Sequence, residues 1–153
     1  MPSLRIVLIV ASVVCALALA TSATANKTFH TLTAPLSPIN GQPLQSGWVH
    51  DIHMNGNVNG GHEVYHVAGA IPNTTFDVHL LFYAGGKCSG TPAFEGNIAV
   101  LMTNGAGNAN GDVKFPANHT STVTTMSAIW QLLGPDGVAA YDTPCEVVLI
   151  GGK

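Results

Sequence analysis

The amino-acid sequence predicts an all-β domain built as a sandwich or barrel of seven to nine short strands. Three observations carry this. Turn signals recur about every 8–12 residues, the spacing of all-β folds. Glycine is abundant (17 residues) while only 8% of the chain is charged, a mixture that suits strands and tight turns better than a helical bundle. No segment carries a capped 3.6-residue period, whereas Thr75 to Tyr83 places Phe76, Val78, Leu80 and Phe82 at period two.

The elements follow in order. Residues 1–25 read as a cleaved secretory signal peptide. Arg5 is the lone early charge, Ile6 to Ala20 is an uncharged apolar stretch, and Ala23-Thr24-Ala25 supplies small residues before a cut at Asn26. The stretch is shorter than the roughly 20 residues a bilayer span needs. Val14 stands where a lipidated Cys15 would require a small residue, so lipid anchoring is rejected. Residues 26–46, with Pro35, Pro38 and Pro43, read as an extended lead-in with an edge strand around Lys27 to Leu32. Residues 47–153 form the sandwich domain.

Within that domain Trp48, His50 and Ile52 share one side of a strand, and Met54 to Gly61 is a loop. Strands are expected at Glu63 to Ala70, Thr75 to Tyr83, Ile98 to Thr103, Asp112 to Phe115, Ser121 to Leu133, Val138 to Tyr141 and Cys145 to Ile150. The run Asn104 to Gly111 is expected as a hairpin tip, exposed from Gly105 to Asn110, joining Ile98–Thr103 to Asp112–Phe115. It is no calcium loop, since Asp112 is its one carboxylate. The expected core is Val78, Leu80, Phe82, Val100, Trp130, Val147 and Leu149, with Trp48 a second tryptophan anchor.

Loss of the signal peptide removes Arg5 and Cys15. It leaves Lys27, Lys87, Lys114 and Lys153 against eight acids, with no basic footprint for nucleic acid. Cys88 and Cys145 remain, and export makes a disulfide between them the simplest reading, worth roughly 4 kcal/mol in loop-closure entropy.

Three stretches together carry a family resemblance: Val67-Ala68-Gly69-Ala70-Ile71-Pro72 leading to Phe76, Thr103-Asn104-Gly105-Ala106-Gly107-Asn108-Ala109, and Ala140-Tyr141-Asp142-Thr143-Pro144-Cys145-Glu146. Over about Gly47 to Ile150 the chain resembles small exported immunoglobulin-like β-sandwich proteins, largely of uncharacterised function. The resemblance implies a single antiparallel β-sandwich and brings no catalytic residues with it.

Chemistry is sparse. The chain has no Gly-x-Ser-x-Gly elbow, and its acids are scattered without a local cue for paired-carboxylate catalysis. Of the seven histidines, His53, His62 and His66 are the candidates for a copper or zinc site assembled across strands. Residues four apart on one strand stand roughly 13 Å apart at about 3.3 Å per residue, so His62 and His66 cannot both hold one ion in that conformation. Trp48, Trp130, Tyr65, Tyr83 and Tyr141 could offer a sugar-stacking surface but are also needed for a core. Asn26, Asn73 and Asn118 each open an acceptor pattern for N-glycosylation. The expectation is an exported non-catalytic module for binding, adhesion or envelope association. It takes no cofactor and meets an extracellular or cell-surface partner, with no membrane span after cleavage. A histidine-based metal-binding protein is the alternative.

Overall fold

The computed structural model describes residues 29–54, 60–117 and 124–150. The expected signal peptide, Asn26, Asn118, His119 and the last three residues lie outside them.

Ten strands form: β1 (Phe29–Pro35), β2 (Ser37–Pro38), β3 (Ser46–Met54), β4 (Gly61–Ala68), β5 (Thr75–Ala84), β6 (Phe94–Met102), β7 (Ala109–Phe115), β8 (Thr124–Leu133), β9 (Ala139–Asp142) and β10 (Glu146–Ile150). One sheet runs β1-β3-β4-β7. The other runs β2-β9-β8-β5-β6, with β10 also paired to β8. Every pairing is antiparallel. No helix among the described residues is long and apolar enough to cross a membrane. The lead-in contributes to both sheets, through β1 beside β3 and β2 beside β9.

Alternation along each strand sends one set of side chains into the space between the sheets. Val49 on β3 and Tyr65 and Val67 on β4 meet Phe76, Val78 and Leu80 on β5, Ala128, Trp130 and Leu132 on β8, and Tyr141 on β9. β9 and β10 are two halves of one edge, each pairing a different stretch of β8. Thr143 bridges the break between them: its N–H donates to the Trp130 carbonyl (3.0 Å), and its Oγ1 accepts from the Trp130 N–H (3.1 Å). Cys88 and Cys145 are bonded, with Cα atoms 5.7 Å apart. The bond ties the β5–β6 connection to this same break.

Three expected core residues lie outside the core. Val100, Val147 and Leu149 are 61%, 52% and 45% exposed, while Val78, Leu80 and Trp130 are buried and Phe82 partly so. The reason is parity. Ile98 to Met102 and Val147 to Ile150 are unbroken apolar runs, so the sequence holds no alternation to say which set points inward. Cross-strand partners share a face. Val100 pairs with Asp77, which points outward between Phe76 and Val78. Val147 and Leu149 pair with Ser127 and Thr125, leaving Val148 as the buried member. Trp48 is likewise no core anchor. It lies half-buried on the outer face of the first sheet, stacked on His66 at 5.3 Å.

The expected hairpin is also corrected. β6 pairs with β5 and β7 with β4, so residues 103–108 carry the chain from one sheet to the other. The Gly/Asn run builds a tight crossing turn. Asn104 Oδ1 accepts from the N–H groups of Ala106 (2.9 Å) and Asn108 (3.0 Å). Gly107 is buried at φ 76°, its carbonyl accepting from the Ala70 N–H at 3.0 Å, and a Cβ there would fall 2.1 Å from the Ala70 carbonyl oxygen. Glycine is required both for the backbone angle and for that approach.

Candidate functional site

Where β3 ends and β4 begins, the inward set stops being apolar. After Val49, the inward positions of β3 are Asp51 and His53. On β4, Glu63 precedes Tyr65 and Val67. Asp51 and Glu63 are directly opposed across the ladder, as are His53 and Gly61. Two acids and an imidazole are thereby carried between the sheets, with 2%, 3% and 8% of their surfaces exposed for Asp51, Glu63 and His53. Gly61 leaves room for the imidazole: a Cβ there would lie 3.1 Å from the ring's Cε1 and Nδ1.

Each group has a defined environment. His53 Nε2 pairs with Asp51 Oδ2 at 2.8 Å, while its Nδ1, beside Gly61, is buried without a hydrogen-bond partner among the described residues. The His30 ring stacks on His53 at 5.6 Å, and its Nε2 bonds the Leu149 carbonyl, linking β1 to β10 over the sandwich edge. Both donors to Glu63 reach the same oxygen: the Tyr65 hydroxyl at 2.5 Å and the Trp130 indole N–H at 2.9 Å meet Oε2. Asp51 Oδ1 is buried without a hydrogen-bond partner among the described residues.

Burial dominates the electrostatics. It pushes the Glu63 carboxyl up to about 7. The Asp51 charge acts in the same direction, while the Tyr65 and Trp130 hydrogen bonds and the His53 charge act against it. Burial works against the charged form of His53, but the hydrogen bond and charge of Asp51, joined by the charge of Glu63, outweigh it and raise the imidazole above its ordinary value. Tyr65 is raised strongly, by burial first and then by the adjacent Glu63. Like charges placed opposite each other on neighbouring strands destabilise a sheet. This arrangement is therefore costly to the fold.

The three groups line a cavity of about 300 Å³ between the sheets. The rest of its wall is apolar: Leu80 and Phe82 from β5, Phe115 and Pro116 at the end of β7, Trp130 from β8 and Ile150 from β10. Among these described lining residues there is no serine, threonine or cysteine to act as a nucleophile. What the cavity offers is an apolar compartment with a polar end that accepts hydrogen bonds or positive charge.

The sequence-predicted histidines are not brought together. His53 points between the sheets. His62 and His66 lie on the outer face of the first sheet, where His62 bonds Asp112 (2.9 Å) and His66 bonds Asn110 (2.8 Å). Among the described residues no group of three or more His, Cys, Asp or Glu is placed to hold a metal ion. Asn73 is exposed in the β4–β5 connection, with φ 50° and its N–H donating to the Asn104 carbonyl at 3.1 Å. Asp51 and Glu63 lie outside the expected site residues, because the strand pattern read at β3 was that of Trp48, His50 and Ile52, the outward set. A usable signal was present: Asp51 and His53 share parity with Val49, and Glu63 with Tyr65 and Val67.

The chain was compared with protein-family models, curated proteins and solved structures, and no match was found in any of the three.

Proposed function

We propose that the protein is an exported, non-catalytic binding module whose ligand is a small molecule held between the two sheets. The observation that carries this reading is the cavity lined by Asp51, His53 and Glu63 at one end and by Leu80, Phe82, Phe115 and Trp130 along its wall. Ligand sites are typically concave and mainly apolar, with a few convergent polar groups, and begin at about 300 Å³. Buried ionisable groups with displaced titration concentrate at such sites. Export is supported by the signal-like first 25 residues and by the Cys88–Cys145 bond, which is compatible with an oxidising compartment. A secreted or envelope-associated protein of this kind would take its ligand from outside the cell or present it to a surface partner there.

The test uses Trp130 as reporter. In a Trp48→Phe variant Trp130 is the one remaining tryptophan. Small apolar and amphipathic probes should change its emission saturably. Leu80→Phe, which fills the cavity from β5, should abolish the response while leaving the thermal transition cooperative. A saturable response that survives the filled cavity would place binding elsewhere and contradict the proposal.

A further inference from the structure

Resting on that cavity reading, we infer that the ligand is a small amphipathic amine, its ammonium set against Glu63 and its hydrocarbon part against Phe82, Phe115 and Trp130.

The charges lining this partly open cavity do not balance. The cavity wall holds two acids and one base. His53 pairs directly with Asp51 at 2.8 Å and acts on Glu63 only through its charge, so Glu63 has no direct ion-pair partner among the described lining residues. Its Oε2 nevertheless receives two donors, the Tyr65 hydroxyl and the Trp130 N–H. Two preorganised donors on one oxygen are the usual support for a carboxylate. Oε1 receives neither of them and is the oxygen left for a ligand. Opposite Glu63 on the ladder, Asp51 Oδ1 is buried and unpartnered among the described residues, adding negative potential at the same end. A buried charge is tolerated when it is paired and hydrogen-bonded. A ligand ammonium supplies the missing partner. A carboxylate ligand would be repelled, and a neutral alcohol would leave the charge uncompensated.

Size points the same way. A cavity of about 300 Å³ equals the volume of roughly ten waters at ~30 Å³ each. That is room for a medium-chain alkylamine or a monocyclic arylalkylamine. Trp130, Phe82 and Phe115 give the hydrocarbon part apolar contacts, and aromatic faces also attract cations.

The pairing predicts a pH dependence. The titratable groups facing Glu63 are Asp51 and His53 from β3 and Tyr65 on β4, with His30 from β1 stacked behind His53. β5, β7, β8 and β10 present Leu80, Phe82, Phe115, Trp130 and Ile150, none of which titrates. Below about pH 7 the ammonium must displace a proton from Glu63, so affinity should fall as the solution is acidified.

The experiment is calorimetric titration of the mature, disulfide-bonded protein with octan-1-amine, octan-1-ol and octanoate at pH 8.0 and 5.5. The expected result is that the amine binds at least tenfold tighter than the alcohol at pH 8.0, loses about thirtyfold at pH 5.5, and outbinds octanoate at pH 8.0. Glu63→Gln keeps an acceptor for Tyr65 and Trp130. It should erase the preference for amine over alcohol while retaining alcohol binding. Alcohol or octanoate binding as tightly as the amine would overturn the ligand class and leave the cavity reading standing. Failure of all three probes to bind would overturn both. The wild-type pH series and probe ranking decide the matter even if the Gln variant does not fold.

Discussion

The two ends of the sandwich bury polar groups in opposite ways. At the β9 end, Tyr141 is fully buried and its hydroxyl is used twice, donating to the Pro43 carbonyl (2.8 Å) and accepting from the Ile71 N–H (3.0 Å). Phe76 packs edge-on against it at 5.5 Å, and Thr103 and Gly107 lock the crossing turn to the 70–74 backbone. At the other end two acids face each other across a ladder, one carboxylate oxygen lacks a partner among the described residues, and a cavity of about 300 Å³ adjoins them. Both ends draw on β5 and β8. The first spends its polar groups on joining segments of the chain. The second holds groups that lower stability where they stand, and such groups are what a binding site requires.

The comparison can be broken first by matched core truncations. Leu132→Ala, in the packed end opposite Tyr141, should cost about 4 kcal/mol, within the usual range for a buried leucine. Leu80→Ala enlarges a space that is already open and should cost about 2–3 kcal/mol, at the low end of that range. Chemical denaturation of both variants checks this, and equal losses would mean the two ends are equally packed.

A second prediction concerns acid and base. A carboxyl raised from 4.5 to about 7 by folding binds its proton more tightly in the native state than in the unfolded one. Its contribution is therefore fully present below pH 4.5 and is lost as pH rises through 7. The span is on the order of 3 kcal/mol. His53, also raised, acts with the same sign: its contribution is fully present below its ordinary 6.5 and is lost as pH rises through its raised value. The thermal midpoint should be higher at pH 5 than at pH 8, and Glu63→Gln should flatten the difference by stabilising the protein at pH 8. A steeper slope in that variant would contradict the placement of Glu63.

The smallest effect belongs to the packed end. Tyr141→Phe removes one hydroxyl and leaves the part-buried Pro43 carbonyl and Ile71 N–H without it, at a cost of about 1 kcal/mol. That loss should not vary between pH 5 and pH 8. A pH-dependent loss would show that the two ends are electrostatically coupled.

Much of this fold was legible in the sequence. Thr75 to Tyr83 declared β5 by clean alternation, and Cys88 and Cys145 were the pair that export would oxidise. Pairing was less legible, because a Gly/Asn run between two strands looks the same whether it closes a hairpin or crosses between sheets. Long-range contacts such as that of Gly107 with Ala70 separate the two. Facing failed where strands were apolar throughout, as at Val100 and Val147. The site was hidden by a sound rule applied in the wrong place: charged residues normally face water, and Asp51 and Glu63 do not. Their shared parity with Val49 and Tyr65 was visible, but their opposition across the ladder needed the register.

The most direct test is to map ligand contact on the folded protein. Amide and side-chain NMR shifts would be recorded on the mature protein while octan-1-amine is added at pH 8. The account predicts saturable changes confined to the cavity end, at Asp51, Glu63, Leu80, Phe115, Trp130 and Ile150, with Gly107 and Tyr141 unmoved. Changes centred on Tyr141 or on the outer-face stack of Trp48 and His66, or no saturable change at all, would contradict it.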